Sequence, residues 1–376
     1  MSWQDCTLGD LMTLKRGHDL PNAKRIEGDV PVVSSSGVTG YHNEAKAEPP
    51  GVITGRYGTL GGVYFIERDY WPLNTALYVI DFKNTDPRFS AYFLKKTLRS
   101  YKSDKAAVPG LDRNVLHSLK VRAPDRGMQE RIVDVLSKYD DLIENNKRRI
   151  ELLEESARQL YKEWFVRFRF PGHEHIKIVE GVPKGWSKGR VSDLGEVVTG
   201  KTPSTKVKEN FGGDIPFIKT PDIHSSSIIF EPEEYLSERG ANTQANKYLP
   251  KFSILTACIG ARLGVVSLNA RRCQTNQQIN AVIPKSKIYI FYSYLTLKGF
   301  REKLLAIGGG ATMPNVNKSK FSSMEVLLPP ESLLDSFHDL VTQQFLQMET
   351  LIKMNSKLTQ ARDILLPKLM NGEVAV

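Results

Sequence analysis

An internal repeat limits the fold of this chain more than any other feature. Trp3 to Gly17 (WQDCTLGDLMTLKRG) aligns without a gap on Trp186 to Gly200 (WSKGRVSDLGEVVTG). The tryptophans, Asp10 and Asp193, Leu11 and Leu194, and Gly17 and Gly200 are identical, while Leu8 and Val191, and Leu14 and Val197, are alike. Gly28-Asp29-Val30-Pro31-Val32-Val33 recurs as Gly213-Asp214-Ile215-Pro216-Phe217-Ile218. Val52-Ile53-Thr54 through Gly62-Val63 recurs as Ile254-Leu255-Thr256 through Gly264-Val265, which lays Asn74 on Asn276. Each copy closes on an apolar strand ending in proline, Leu119 to Pro124 and Met324 to Pro329, and then enters a helical pattern. Repeats of this length are whole supersecondary units, so the plan is lobe, helix, lobe, helix. Residues 1–125 form the first lobe, 126–183 a central helical segment, 184–330 the second lobe and 331–376 a C-terminal helical segment.

Within a lobe, short runs rich in Val, Ile, Tyr and Phe, such as GVITG, GGVYFI and ALYVIDF, are broken by Gly and Pro, the pattern of strands joined by turns. One amphipathic helix per lobe is expected, around Phe89 to Lys102 and around Phe291 to Leu305. Each lobe is therefore of mixed α/β (α+β) class.

The two helical segments carry long apolar seams. The first runs through Met128, Ile132, Val135, Leu136, Tyr139, Leu142, Ile143, Ile150, Leu153, Leu160 and Trp164. The second runs from Leu333 through Phe337, Val341, Met348, Leu351, Leu358, Leu365 and Leu369. Each seam is interrupted by one asparagine, Asn146 and Asn355, the residue type that sets register in a coiled coil at some cost in stability. Antiparallel pairing with Asn146 opposite Asn355 brings Trp164 level with Phe337 and Ile132 level with Leu369. Each helix would span about 38 residues, roughly 57 Å at 1.5 Å per residue.

The formal net charge is +10, which favours a polyanionic partner. Its distribution says more. Residues 1–125 hold 17 Lys and Arg against 14 Asp and Glu, and 184–330 hold 20 against 11. Residues 126–183 balance 11 against 11, and 331–376 hold 4 against 6. The excess positive charge thus sits in the two lobes, most of it in the second, which is expected to supply more phosphate contacts.

Several features point away from enzyme classes. The three cysteines, Cys6, Cys258 and Cys273, lack zinc-ligand spacing and fit reduced thiols in a cytoplasm. Gly195-Glu196-Val197-Val198-Thr199-Gly200-Lys201-Thr202 matches the phosphate-loop pattern, but the preceding stretch is too polar for a buried strand and Pro203 to Asn210 has no helical period. Asp69 with Asp81-Phe82-Lys83 is the residue set of a metal-dependent nuclease without a counterpart in the second lobe. His173 and His175 follow Phe170-Pro171-Gly172 with no third ligand near, so no metal is expected. Neither Pro49-Pro50 nor Pro329-Pro330 supplies the catalytic loop of an adenine methyltransferase. Met1-Ser2-Trp3-Gln4-Asp5 has no basic segment leading into an apolar run, and no stretch is apolar enough to span a membrane. A cytoplasmic protein without membrane contact is expected.

Lobe, long helix, lobe, long helix resembles the specificity subunit of type I restriction-modification enzymes over nearly the whole chain. Leu160-Tyr161-Lys162-Glu163-Trp164-Phe165-Val166-Arg167-Phe168 is similar to the end of that family's central helix. Arg362-Asp363-Ile364-Leu365-Leu366-Pro367-Lys368-Leu369-Met370-Asn371-Gly372-Glu373 is similar to its C-terminal signature. The resemblance implies a non-catalytic subunit with two target-recognition domains (1–125 and 184–330), each reading half of a split double-stranded DNA sequence, held apart by the antiparallel helices. It implies partners too: two modification subunits carrying S-adenosylmethionine and docked on the helices, and motor-nuclease subunits using ATP and Mg. No cofactor is expected in this chain. An orphan DNA-binding protein, or more remotely a nuclease or ATPase, is the competing interpretation.

Base reading needs Arg or Lys for guanine and Asn or Gln for adenine, projecting from turns between strands. The candidates in the first lobe are Lys15, Arg16, Ser34, Ser35, Ser36, Arg56, Tyr57, Arg113 and Asn114. In the second they are Lys201, Thr202, Lys219, Thr220, Arg262, Asn276, Gln277, Gln278, Asn317 and Lys318.

Overall fold

The computed structural model describes residues 3–57, 61–100, 110–223, 226–309 and 315–376. Met1, Ser2 and the expected helix end at Lys102 lie outside them. The chain divides into two compact units, 1–144 with 356–376, and 145–355. Each unit combines one lobe with a part of both long helices.

The first lobe comprises β1 (Trp3–Thr7), α1 (Leu8–Leu11), β2 (Thr13–Arg16), β3 (Val30–Ser34), β4 (Gly37–His42), β5 (Gly51–Gly55), β6 (Val63–Ile66), β7 (Trp71–Pro72), β8 (Ala76–Asp81), α2 (Pro87–Ser100), α3 (Arg113–Ser118) and β9 (Lys120–Pro124). Its sheets have the orders β2-β8-β5-β6, β4-β3-β7 and β1-β9. The long helix α4 (Arg126–Tyr161) follows, closed by a π-helical turn over Lys162–Val166.

After the short hairpin β10 (Ile178–Val179) and β11 (Val182–Pro183), the second lobe repeats the frame. It contains β12 (Ser187–Arg190), β13 (Gly195–Thr199), β14 (Phe211–Ile218), α5 (Thr220–Ile223), β15 (Ile228–Ile229), β16 (Glu234–Leu236), α6 (Glu238–Asn242), β17 (Ile254–Ala257), β18 (Val266–Asn269), β19 (Gln274–Thr275) and β20 (Ile279–Pro284). It ends with α7 (Ile290–Lys298), α8 (Arg301–Gly308), α9 (Lys318–Ser322) and β21 (Glu325–Leu328), and the long helix α10 (Glu331–Met370) follows. The sheet orders β13-β20-β17-β18, extended by β15, and β16-β14-β19 reproduce those of the first lobe, as β12-β21 reproduces β1-β9.

The residues identical in both copies hold equivalent positions. Asp10 Oδ2 accepts from the backbone N–H of Thr7 at 2.8 Å, and Asp193 Oδ2 accepts from that of Arg190 at 2.7 Å. Each closes the turn after the lobe's first strand, and the adjacent Leu8 and Val191 are fully buried. Gly17 and Gly200 are needed for close approach: a Cβ on either would lie 2.2 Å from a backbone carbonyl, that of Leu73 or of Asn276.

Strand registers correct two equivalences expected from the sequence. Val63 lies opposite Thr54 and Val266 opposite Thr256, so Val63 corresponds to Val266 and not to Val265. Leu73 N–H donates to Val33 and Asn276 N–H to Ile218, so Asn276 corresponds to Leu73 and the counterpart of Asn74 is Gln277. One extra residue in the turn between β17 and β18 shifts everything after it. The expected helix over Phe291 to Leu305 is also two helices: α7 ends at Lys298, capped by Gly299, and α8 starts at Arg301. Helix α7 is not amphipathic, since Phe291 through Leu297 are all buried.

The long helices have 36 and 40 residues and pack antiparallel in each unit. In the first unit Met128, Ile132 and Leu136 share a core with Leu366, Leu369 and Met370. In the second, Trp164 packs on Phe337 with ring centroids 5.9 Å apart, and Asn146, 1% exposed, donates from Nδ2 to Asn355 Oδ1 at 2.9 Å. Leu142, expected on the seam, is exposed; on a helix of 3.6 residues per turn it falls beside the stripe that buries Ile143 and Asn146.

Candidate nucleic-acid interface

Six backbone hydrogen bonds repeated in both lobes gather the loops into one cluster per lobe. In the first lobe Gly17 donates to Ala76, His18 to Pro72, Leu73 to Val33, Ala76 to Leu73, Arg56 to Thr75 and Leu111 to Arg56. In the second, Gly200 donates to Ile279, Lys201 to Thr275, Asn276 to Ile218, Ile279 to Asn276, Cys258 to Gln278 and Val316 to Cys258. Segments 17–19, 34–36, 56–57, 73–75 and 110–114 therefore converge, as do 200–202, 219–221, 258–262, 275–278 and 315–318.

In the first lobe Lys15 and Arg16 are exposed at the end of β2, opposite Tyr78 and Leu77. Arg56 lies over the Tyr57 ring, 4.6 Å from its centroid, and Tyr57 is 43% exposed. Ser34 is buried in the β3–β4 turn, where its hydroxyl donates to the Gly37 carbonyl at 3.3 Å and accepts from the Ser36 N–H at 3.1 Å. Ser34 is thereby a turn former, while Ser35 is half-buried and Ser36 exposed. Arg113 and Asn114 open α3, capped by Asp112.

Side chains join the cluster in the second lobe. Thr202 Oγ1 donates to Gln277 Oε1 at 2.7 Å, and Thr220 Oγ1 donates to Gln278 Oε1 at 2.8 Å. Asn276 Oδ1 accepts from the Gln278 N–H at 3.2 Å, and Arg262 Nη1 donates to the Pro221 carbonyl at 3.1 Å. These bonds orient the Gln277 and Gln278 carboxamides through their carbonyls. Lys219 pairs with Glu234 at 3.2 Å, and Asn317 caps α9 by accepting from the Lys320 N–H at 2.9 Å. Lys318 is exposed at the first turn of α9, where Arg113 stands in α3.

Five participants were not among the candidates: His18, Asp19, Asn74, Lys46 and Gln244. Lys201 and Thr202 are equivalent to His18 and Asp19, not to Lys15 and Arg16, and the Asp19–Asn74 hydrogen bond matches Thr202–Gln277. Lys46 lies 5.1 Å over the Trp71 ring, and Gln244 donates to the Lys201 carbonyl at 2.6 Å. Partial burial, then Lys15 and Lys46, hold the His18 pKa below its ordinary value. The repeat offset of 183 already lays His18 on Lys201; Lys46 and Gln244 have no comparable sequence signal.

The stretches that looked enzymatic have other partners. Gly195–Thr199 is β13, paired antiparallel with β20, so the phosphate-loop pattern is spent on a sheet. Asp81 Oδ1 accepts from the Lys83 N–H at 2.8 Å, while Lys83 Nζ donates to the Gly9 carbonyl. His173 Nδ1 lies 2.8 Å from the Phe170 carbonyl in a turn. Among the described residues, no cluster of three His, Cys, Asp or Glu is placed for a metal, and no helix is long and apolar enough to cross a membrane.

Two lobes of one frame, each gathering Arg, Lys, Asn and Gln at one loop cluster and each on a pair of long helices, have counterparts among known proteins. Residues 1–155 and 183–333 match the type I restriction modification DNA specificity domain. The chain belongs to the type I restriction-modification specificity subunits. It is 33% identical over 335 residues to the type I restriction enzyme HindI specificity subunit of Haemophilus influenzae, covering 72% of each chain. It is 27% identical over 296 residues to the MjaIX specificity subunit of Methanocaldococcus jannaschii, covering 76% of this chain and 68% of that one. The crystal structure of the type I restriction-modification S subunit from M. genitalium, 18% identical, has the same fold with a TM-score of 0.59 over 98% of this chain and 96% of that one. The role that comes with the family is DNA-target specificity within a restriction-modification system.

The two family-like stretches are packing elements. Tyr161, Trp164 and Phe165 form an aromatic cluster with Tyr292 and Phe337. In the C-terminal stretch, Arg362 bridges Asp140 and Asp363, while Leu366, Leu369 and Met370 enter the first unit's core.

Proposed function

We propose that this chain is the non-catalytic DNA-binding specificity subunit of a type I restriction-modification enzyme. The observation that carries this reading is the repeated frame, which assembles five loops into a cation- and amide-bearing cluster in each lobe. Arg56, Lys15, Arg16 and Arg113 suit guanine and phosphate, and Gln277, Gln278 and Asn276 suit adenine edges. The first lobe reads one half of a bipartite target and the second lobe the other. The helices act as a strut that sets the distance between halves; their continuity over 36 and 40 residues and the buried Asn146–Asn355 pair support a fixed length. Their exposed faces dock two methyltransferase subunits, which carry S-adenosylmethionine, and motor-nuclease subunits using ATP and Mg join that core.

The test is co-expression of this chain with the methyltransferase encoded beside it, followed by transfer from labelled S-adenosylmethionine to DNA, with each chain alone as control. Sequence-specific methylation by the pair alone is expected. Transfer by this chain alone would make it an enzyme, and failure to associate would make it an orphan binder.

A further inference from the structure

Counting from the Asn146–Asn355 pair, whose offset is 209, the position on α10 equivalent to Glu154 on α4 is Asp363. Both are carboxylates, and each receives cations from the helix of a lobe. In the second unit Glu154 accepts from Ser227 Oγ at 2.5 Å and Tyr294 OH at 2.7 Å and pairs with Lys298 Nζ. In the first unit Asp363 accepts from Arg99 Nη2 at 2.8 Å and lies 3.8 Å from Lys95 Nζ. Lys95 is the counterpart of Lys298 at the offset of 203 that lays Ala76 on Ile279, and Tyr92, one residue beyond the counterpart of Tyr294, donates at 2.5 Å to Asp140, which Arg362 bridges to Asp363. The same clamp has thus been built twice. In each copy a lobe is tied to the long helix that the other repeat contributes: α2 of the first lobe to α10, and α7 of the second to α4.

We infer that Glu154 and Asp363 are positioning residues for target recognition, which fix the orientation of each lobe on the strut and so the tolerance of the enzyme to the number of base pairs between half-sites. The inference rests on the strut reading above. A lobe held only by apolar contacts can rock, because such contacts are not directional. A carboxylate taking several charged and hydroxyl donors defines one orientation. Burial alone would raise the Glu154 pKa, but Lys298, Ser227 and Tyr294 outweigh it and hold it below the ordinary carboxylate range. Asp363 is likewise held down against burial by Arg99, Arg362 and Lys95.

The experiment uses the full chain assembled with its methyltransferase, with the target first mapped by modified-base sequencing of plasmid DNA methylated in cells. Duplexes then carry both half-sites at the native spacing, one base pair shorter and one longer. Glu154→Gln is expected to raise methylation at the altered spacings relative to the native one by about tenfold, the loss of roughly one charge-assisted hydrogen bond, with both half-site sequences unchanged. The double variant Glu154→Lys, Lys298→Glu is expected to restore wild-type discrimination. If Glu154→Gln does not fold, Tyr294→Phe removes one donor with little change in packing and is expected to move the ratio in the same direction. Folded variants with the wild-type spacing profile would overturn the inference. A wild-type enzyme indifferent to spacing would overturn the strut reading, and this inference with it.

Discussion

Arg56 brings to the first lobe a guanidinium held over the Tyr57 ring, on a backbone bonded at N–H to Thr75 and at carbonyl to Leu111. Little rotamer freedom is left to lose on binding, and the flat fork matches the O6 and N7 acceptors of guanine. Its counterpart is Cys258, a buried thiol whose pKa is pushed up to about 11 by that burial, so the second lobe has no cation at this position. Arg56→Ala is expected to cost about 1–3 kcal/mol of binding and to relax one position of one half-site. Sequencing of methylated sites from the variant checks this, and a uniform loss across sequences would make Arg56 a phosphate contact. His18, depressed by burial and by Lys15 and Lys46, is mostly neutral at neutral pH. A phosphate docked on this cluster would favour the imidazolium, so binding takes up a proton. Affinity is therefore expected to rise as the pH falls through the ordinary histidine range near 6.5 towards the depressed value of the free chain. Anisotropy titrations at constant ionic strength would show the slope, and His18→Gln should flatten it.

The paired helices convert sequence period into length. Inserting one heptad after Asn146 and one at the facing level of α10 keeps both seams in phase. It adds roughly 10 Å, about three base pairs at 3.4 Å each. The mapped target is expected to gain that many unspecified positions while both halves stay the same. An altered half-site would mean that the helices do more than space the lobes. The seams and both asparagines were legible because helical burial repeats every three to four residues. Leu142 was misplaced because apolar residues at 142 and 143 both fit such spacing locally, and only packing selects one. The break at Gly299 was illegible because the apolar spacing runs on across it: Leu297, Phe300 and Leu304 follow one another at three and four residues and are all buried.

Across the whole molecule the charge excess is uneven, 20 basic against 11 acidic residues over 184–330 and 17 against 14 over 1–125. Counterion release then predicts that the second lobe carries more of the salt dependence of DNA binding. Neutralising two exposed cations in each lobe of the full chain, Lys201 and Lys318 against Lys15 and Arg113, tests whether the contacts lie where these loops converge. Each pair is expected to lower the slope of log affinity against log salt by about 2. An unchanged slope would place the phosphates elsewhere.

The repeat, the two helices and their register were determined by sequence alone, because each depends on short-range or periodic demands. A carboxylate closes a turn three residues away, a glycine admits a neighbouring carbonyl, and an apolar stripe recurs with the helix. Tertiary structure decided which loop residues meet. Asn74 with Asp19, Gln277 with Thr202 and Gln278 with Thr220 are bonds between segments about 55 to 75 residues apart. One inserted residue between β17 and β18 moved the correspondence from Asn276 to Gln277. Strand pairing fixes those neighbours through hydrogen bonds, and a one-residue shift in a strand exchanges every side chain between faces, so only the folded sheets could assign the partners.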